Sequence, residues 1–325
     1  MSDVFSWLQS QTLFPKIMIE EQAAVGCAKV YTKAPPPSAI RVWGGMEFDG
    51  PWSAFWQPQI DLVDGVEIYH EGRDDFPSLP CMDEGDDITR DEWTQMVERC
   101  LAKIESGELS KIVLARKVIS TPKLPEKLNF WFQPSPDVTF MGYTPEQLFC
   151  RKGTTLLSEA LAGTDTNEKR LLASEKDRRE FEWVRQGIVA KLGPLCKEVK
   201  TGVMGTKRAG SLFHLHACIE GRLKDGVVDS DILEALHPTP AMGGVPWENA
   251  RRAILELENF RRGLYAAPLG FYSKDTAKFI VCIRSALLIK NKMHLFSGTG
   301  IVRGSVPEME WDELNRKVEL WTQVS

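Results

Sequence analysis

The sequence predicts an α+β fold: one large domain built on antiparallel β-sheet and flanked by helices. Three observations predict it. Strand-like segments come in runs, over residues 111–163 and again over 269–302, instead of alternating strictly with helices. The helical patterns are few, amphipathic and placed between those runs. No long linker, internal repeat or low-complexity stretch divides the 325 residues.

Each element has a local reason. "KAPPPSAIRVWGG" opens on a proline cluster and closes on a glycine pair, a loop entering a strand and turn. "CMDEGDD" is acidic and turn-rich. A helix starts after Thr89, where Thr89 and Glu92 form a capping box. Trp93, Met96, Val97, Cys100, Leu101 and Ile104 give it one apolar stripe, and Gly107 stops it. "SKIVLARKVIS" is rich in β-branched residues and predicts a buried strand. "LNFWFQ", "VTFMGY", "QLFCRKG" and "TTLLSEALAG" predict short strands separated by turns. One long helix is expected from about Glu168 to Leu192. "SLFHLHACIEGRL" alternates as a strand does, "DILEALHP" is a short helix closed by proline, and "WENARRAILELENF" is amphipathic. "LGFYS", "KFIVCIRSALLIK" and "KMHLFSGTGIV" read as three consecutive antiparallel strands, and a last helix is expected from about Pro307 to Val324.

Composition narrows the function. Hydrophobic residues make up 43% and charged residues 26%, the balance of a soluble globular protein. A net charge of −5 provides no basic field for nucleic acid or an acidic membrane surface. No apolar run is long enough to span a bilayer, and the first residues lack a secretory pattern. Cysteines 27, 81, 100, 150, 196, 218 and 282 are odd in number, scattered and without a CxxC pair. Reduced thiols in a cytoplasmic protein are therefore expected, not a disulfide framework or a zinc site.

Several charged residues stand out. In "EMEWDELNRK", Glu310, Glu313 and Lys317 share one helix face, which is either a solvated stripe or a surface turned onto a ligand. Asp177 and Glu180 in "SEKDRREFE" form a second i, i+3 acidic pair. Carboxylates from two helices suit a hard cation such as magnesium. "GTGIVRG" spaces Gly298, Gly300 and Gly304 as GxGxxxG, which is not a dinucleotide fingerprint. It is either a tight turn or a place where a ligand meets backbone. Lys111 opens an apolar strand. It either snorkels from the strand end or is buried, and burial would favour a neutral, basic amine while nearby carboxylates would favour its charged form. Glu146 follows a proline turn in "YTPEQLF", as a surface group or as an acid. His214 and His216 share a strand face without a third ligand at zinc spacing. Arg284, inside "FIVCIRSALL", calls for a buried anionic partner.

In their order, "SKIVLARK", "TPEQLF", "LAGT", "LLASEKDRREFEWV", "LHPTPAMGG", "CIRSALL" and "GTGIVRGSVPEMEWDELNRK" resemble the chorismate-utilising enzymes over about residues 88–323. "HPTPA" is most similar to the isochorismate synthase branch. The resemblance implies a single catalytic domain over 1–325 with two stacked antiparallel sheets and helices outside, residues 1–87 being a shortened N-terminal part. It implies magnesium-dependent conversion of chorismate to isochorismate. Lys111 matches the base that activates water toward ring carbon 2, and Glu146 the acid that protonates the departing 4-hydroxyl. Glu180 and Glu313 match magnesium ligands, with Asp177 and Glu310 holding its waters. Arg284, Lys317, Gly298 and Gly300 match the carboxylate grip. Gly163, His214, Ala241 and Met242 match the remaining pocket positions.

The sequence departs from the family pattern at "DTNEKR" after "LAGT", and at Ala267 where glycine is usual. A salicylate synthase, which goes on to eliminate pyruvate, is the nearest rival, and a catalytically inactive binding relative is another. Ala162 stands where aminodeoxychorismate synthases carry a nucleophilic lysine, and "HPTPA" disfavours anthranilate synthase. A monomer or weak homodimer is expected, acting on a small molecule without nucleic acid or membrane.

Overall fold

The computed structural model describes residues 3–82, 84–125, 127–209 and 212–322. The chain begins with α1 (Asp3–Ser10), β1 (Lys16–Ile19), β2 (Gln22–Val25), β3 (Lys29–Tyr31), β4 (Val42–Met46), β5 (Ser53–Gln57), β6 (Ile60–Val63) and β7 (Val66–Tyr69). Next come α2 (Arg90–Glu105), β8 (Lys111–Ser120), β9 (Phe130–Ser135), β10 (Val138–Gly142), β11 (Gln147–Lys152) and β12 (Thr155–Asp165). The middle of the chain forms α3 (Glu168–Ala173), α4 (Glu175–Leu192), β13 (Cys196–Thr201), β14 (Gly205–Ala209), β15 (Leu212–Leu223) and α5 (Asp229–Leu236). It ends with β16 (Gly244–Val245), α6 (Trp247–Leu257), β17 (Pro268–Tyr272), β18 (Thr276–Val281), β19 (Ser285–Ile289), β20 (Lys292–Val302) and α7 (Pro307–Thr322).

These strands make two antiparallel sheets. The first runs β16-β8-β20-β19-β10-β9-β1-β2-β6-β7, and the second β13-β15-β12-β11-β18-β17-β4-β5-β3, with β14 also paired to β15. Residues 1–87 thus supply strands to both sheets. Between the sheets lies an aromatic core: Trp56 of the second stacks on Phe132 of the first at 5.7 Å, and Trp43 and Phe140 are buried nearby. Each such side chain contributes roughly 1.5–3 kcal/mol by leaving water. α7 lies against β20 and α2, with Leu314 fully buried. Trp311 is half-buried, its ring beneath the Arg116 guanidinium at 3.9 Å. No helix among the described residues is long and apolar enough to cross a membrane.

The Thr89 capping box forms as expected: Glu92 N donates to Thr89 Oγ1 at 3.2 Å, and Thr89 N to Glu92 Oε2 at 2.7 Å. Two expectations are corrected. The Glu168–Leu192 helix is two helices, because Ser174 is extended (ψ 114°) and its hydroxyl caps the second by accepting from Asp177 N at 3.2 Å. "KFIVCIRSALLIK" is not one strand: β18 belongs to the second sheet and β19 to the first, with residues 282–284 crossing between them. The strand expected over "KMHLFSGTGIV" forms as β20, and of the two readings of its glycines the turn is excluded at "GTG", which is paired to β8 with Gly298 opposite Ala115 and Gly300 opposite Val113. The expected limits at Ser211 and Val324 lie outside the described residues.

Candidate active site

The chain crosses from the first sheet to the second at residues 143–146, and returns at 282–284. Hydrogen bonds join the two crossings. Thr144 Oγ1 donates to Val281 O at 2.6 Å, Val281 N to Glu146 O at 3.0 Å, and Tyr143 N to Arg284 O at 3.3 Å. Each crossing bears one charged residue, Glu146 and Arg284, and both line one cavity. Lys111, Gly163, Glu180, His214, Ala241, Met242, Gly298, Gly300, Glu313 and Lys317 also line it. Asp177 and Glu310 line an adjoining recess that shares Glu313. The residues matched to the family motifs therefore lie at the cavity or beside it, although they come from nine separate stretches of chain.

Lys111 does not snorkel. It has no exposed surface, and its Nζ lies 3.0 Å from Glu180 Oε1. The glycines of β20 make room for this pair. A Cβ on Gly300 would fall 2.2 Å from Glu180 Oε1 and 3.2 Å from Lys111 Cε, and one on Gly298 would fall 2.8 Å from the Tyr265 hydroxyl. Glycine is needed here for close approach, not for a turn.

The face of α7 that carries Glu310, Glu313 and Lys317 turns inward. Lys317 Nζ donates to Glu313 Oε1 at 2.6 Å and to Gly298 O at 2.7 Å. Glu310 accepts from Lys176 and, at 2.7 Å, from Thr299 Oγ1. Burial, then the neighbouring Glu313, raises the Glu310 carboxyl above its usual range despite Lys176. Burial and then Glu180 and Glu313 likewise raise Asp177, against a hydrogen bond from Ser174. Burial would raise Glu313 too, but Lys317, Lys176 and a hydrogen bond from Thr299 outweigh it and hold Glu313 low. The donor set is all oxygen, which suits a hard divalent cation. As arranged, its glutamates are paired with Lys111, Lys176 and Lys317. Among the described residues no three acidic, histidine or cysteine groups stand close enough to hold a metal without rearrangement.

Glu146 has different surroundings. It is 3% exposed and has no ion-pair partner among the described residues. Burial, then the Glu159 charge, pushes its carboxyl up to about 8, against Lys111, Lys207 and Lys317. The crossing that carries it is held by Lys207, whose Nζ donates to Pro145 O at 2.9 Å and to Glu159 Oε2 at 2.7 Å.

A bulge in β12 between Ala162 and Asp165 places Gly163 at φ +68° and leaves its carbonyl free to accept from His214 Nδ1 at 3.0 Å. Arg284 Nη2 lies 2.6 Å from His214 Nε2, so Nε2 must accept and the proton resides on Nδ1. Burial, followed by Arg284 and Lys317, lowers His214 to about 3, which keeps it neutral. Arg284 is buried at φ +48° and has no carboxylate at ion-pair distance among the described residues. Its other bond goes to Ala209 O at 3.1 Å. The buried anion expected from its sequence context is thus not found at ion-pair distance among the described residues, and the charge is available to a ligand. His216 points to Glu159 at 3.5 Å and does not line the cavity.

Sequence reasoning missed Lys176, Thr299 and Tyr265. Lys176 directly precedes Asp177, and Thr299 sits between the two glycines, so proximity to the motifs was the available signal. Tyr265 carries none.

Two stacked sheets joined by crossings that set an acid opposite a buried lysine, with arginine, lysine and glycine backbone between, define an enzyme-like pocket for a small anionic molecule. The chain belongs to the chorismate binding enzymes: a profile of the family described as "Chorismate binding enzyme" matches residues 63–324. The isochorismate synthase MenF of Pasteurella multocida is 30% identical over 381 residues, spanning 97% of this chain and 88% of that protein. A chloroplastic isochorismate synthase of Catharanthus roseus is 38% identical over 257 residues, covering 70% of this chain, which spans 44% of that protein's length. The structure of MenF, the menaquinone-specific isochorismate synthase of Escherichia coli, superposes with a TM-score of 0.81 at 26% identity over 99% of this chain and 92% of that one. Anthranilate synthase component I of Streptococcus pneumoniae shares the fold, with a TM-score of 0.70 at 18% identity over 96% of this chain and 91% of that one.

Proposed function

We propose that the protein is a magnesium-dependent isochorismate synthase, acting as one catalytic domain in the cytoplasm, as a monomer or weak homodimer. The observation that carries this reading is one cavity lined by a buried lysine, a buried carboxyl raised to about 8, and two cationic side chains. Arg284 and Lys317, with backbone at Gly298 and Gly300, grip the carboxylates of chorismate. Lys111 takes a proton from water as that water adds to ring carbon 2. The ring double bond shifts, and Glu146 gives its proton to the 4-hydroxyl, which leaves as water. A carboxyl raised to about 8 holds that proton at neutral pH. Neutral His214 keeps the Arg284 fork in place. Glu180 and Glu313 would bind magnesium, with Asp177 and Glu310 holding its waters. Bound there, the ion would neutralise the acidic cluster and polarise the ring carboxylate. Isochorismate then feeds menaquinone or siderophore biosynthesis.

The test is to incubate pure protein with chorismate and magnesium and separate the products. Isochorismate as the sole product is expected, and EDTA should abolish its formation until magnesium is restored. Salicylate with pyruvate would make the protein a salicylate synthase. Unchanged chorismate would make it a binding relative.

A further inference from the structure

β8, the strand that begins at Lys111, is paired along its whole length with β20. Among the described residues the strand paired on its other side is β16, which is two residues long and covers Lys111 and Ile112. Gly243 O then accepts from Val113 N at 2.8 Å. Beyond that point the Val113 carbonyl and the Ala115 amide face an edge with no strand on it. Buried backbone groups left in this way are costly.

A side-chain pair fills the gap. Glu258 Oε1 accepts from Ala115 N at 2.8 Å, and Arg262 Nη2 donates to Val113 O at 2.8 Å. The two side chains close on each other, with Arg262 Nε donating to Glu258 Oε2 at 2.8 Å, and both are 2% exposed. Arg262 Nη1 donates to Met242 O at 2.9 Å, on the loop that brings Ala241 and Met242 to the cavity. Phe48 covers the guanidinium face at 4.2 Å. Neither Glu258 nor Arg262 lines the cavity.

We propose that Glu258 and Arg262 are positioning residues for catalysis: together they stand in for a missing strand and fix the Lys111 strand against the loop carrying Ala241 and Met242. The inference rests on the isochorismate synthase reading. The pair acts on two walls of the cavity at once, because one planar guanidinium bonds Val113 and Met242 while its carboxylate partner bonds Ala115. The groups that grip the substrate, Arg284 and Lys317, lie on other elements. Loosening the pair therefore displaces the base side and leaves binding nearly intact.

The test separates positioning from stability. Replacing a buried ion pair with apolar residues of similar volume often leaves stability unchanged. Glu258→Met/Arg262→Met should therefore lose stability mainly through the three backbone groups it leaves unpaired, and it is assayed well below its unfolding temperature. Arg262→Lys keeps a cation for Glu258 but loses the planar fork. In both variants amide exchange over residues 111–118 should accelerate, kcat should fall by about tenfold or more, and KM should stay within about threefold. A folded variant with kcat within about twofold of wild type overturns the proposal, whatever its exchange. A fall in kcat without faster exchange also overturns it, because the effect would not pass through β8. If the double variant does not fold, Arg262→Lys decides on the same criteria. An inactive wild type would overturn the functional reading and this inference with it, whereas an active wild type with unaffected variants overturns the pair alone.

Discussion

On one side of the cavity Lys111, fully buried, lies 3.0 Å from the Glu180 carboxylate. On the other, Glu146 is as well hidden but has no cation at ion-pair distance among the described residues, and its carboxyl rises to about 8. Burial alone disfavours charge, and a close partner of opposite sign restores it. The two sides thus differ in whether a buried ionisable group has a partner of opposite sign within reach. The acid side owes its state to isolation on a crossing between sheets. The base side differs in its pairing: Gly300, opposite Val113 on β20, leaves room for the Glu180 carboxylate beside Lys111.

The largest effects come from removing either member. Lys111→Ala and Glu146→Gln should each lower kcat by about 10²–10⁴ while the protein stays folded. Stability should divide them. Lys111→Ala strands the Glu180 charge in the interior and should lower Tm. Glu146→Gln replaces a group whose proton affinity is higher folded than unfolded. Between the ordinary carboxyl value of 4.5 and about 8 the folded protein holds a proton that the unfolded chain has released, so this site costs increasing stability as pH rises through that window. Glu146→Gln should remove that slope, and its Tm at pH 8 should match or exceed wild type. A Tm at pH 8 below wild type would mean that Glu146 is ionised in the fold.

Part of this contrast was legible in the sequence. The capping box at Thr89 and the strand from Lys111 follow from periodicity and local chemistry, whereas spacing leaves the α7 face open and only the motif resemblance turns it inward. The sheet crossings do not. "KFIVCIRSALLIK" is apolar on both sides of Arg284, and hydrophobicity carries no sign that β18 and β19 enter different sheets. The β12 bulge at Gly163 and the pairing of Lys176 with Glu310 are likewise outcomes of tertiary packing. The site residues were identified by motif, but their proton states could be read only once burial and partners were known.

A smaller effect should appear at the acidic cluster. If Glu313 ligates the cation, Glu313→Gln should weaken magnesium affinity about tenfold or more, and wild type should gain Tm on adding magnesium by ordinary linkage. Lys317→Ala should raise KM for chorismate and leave the magnesium titration nearly unchanged. Calorimetric titration with magnesium reads the first effect, and steady-state kinetics the second. If both variants are kinetically silent, the α7 face has no part in the site.

The smallest effect tests why Glu146 is raised at all. Burial is the largest cause and the Glu159 charge comes next. Glu159→Gln removes the second without exposing Glu146, and it also frees Lys207, held at 2.7 Å, to act on Glu146 unopposed. Both changes favour the ionised acid. The alkaline limb of kcat should therefore move to lower pH by roughly half a unit to one unit, with little loss below neutrality where Glu146 stays protonated. Lys207→Met should move it the other way, since it deletes a cation and leaves Glu159. A limb that stays put in both variants, measured from pH 6 to 9.5, would assign it to a group other than Glu146. A limb that falls the whole way to the ordinary carboxyl range in Glu159→Gln would reverse the order of causes and make the neighbouring charge, not burial, the source of the acid's proton.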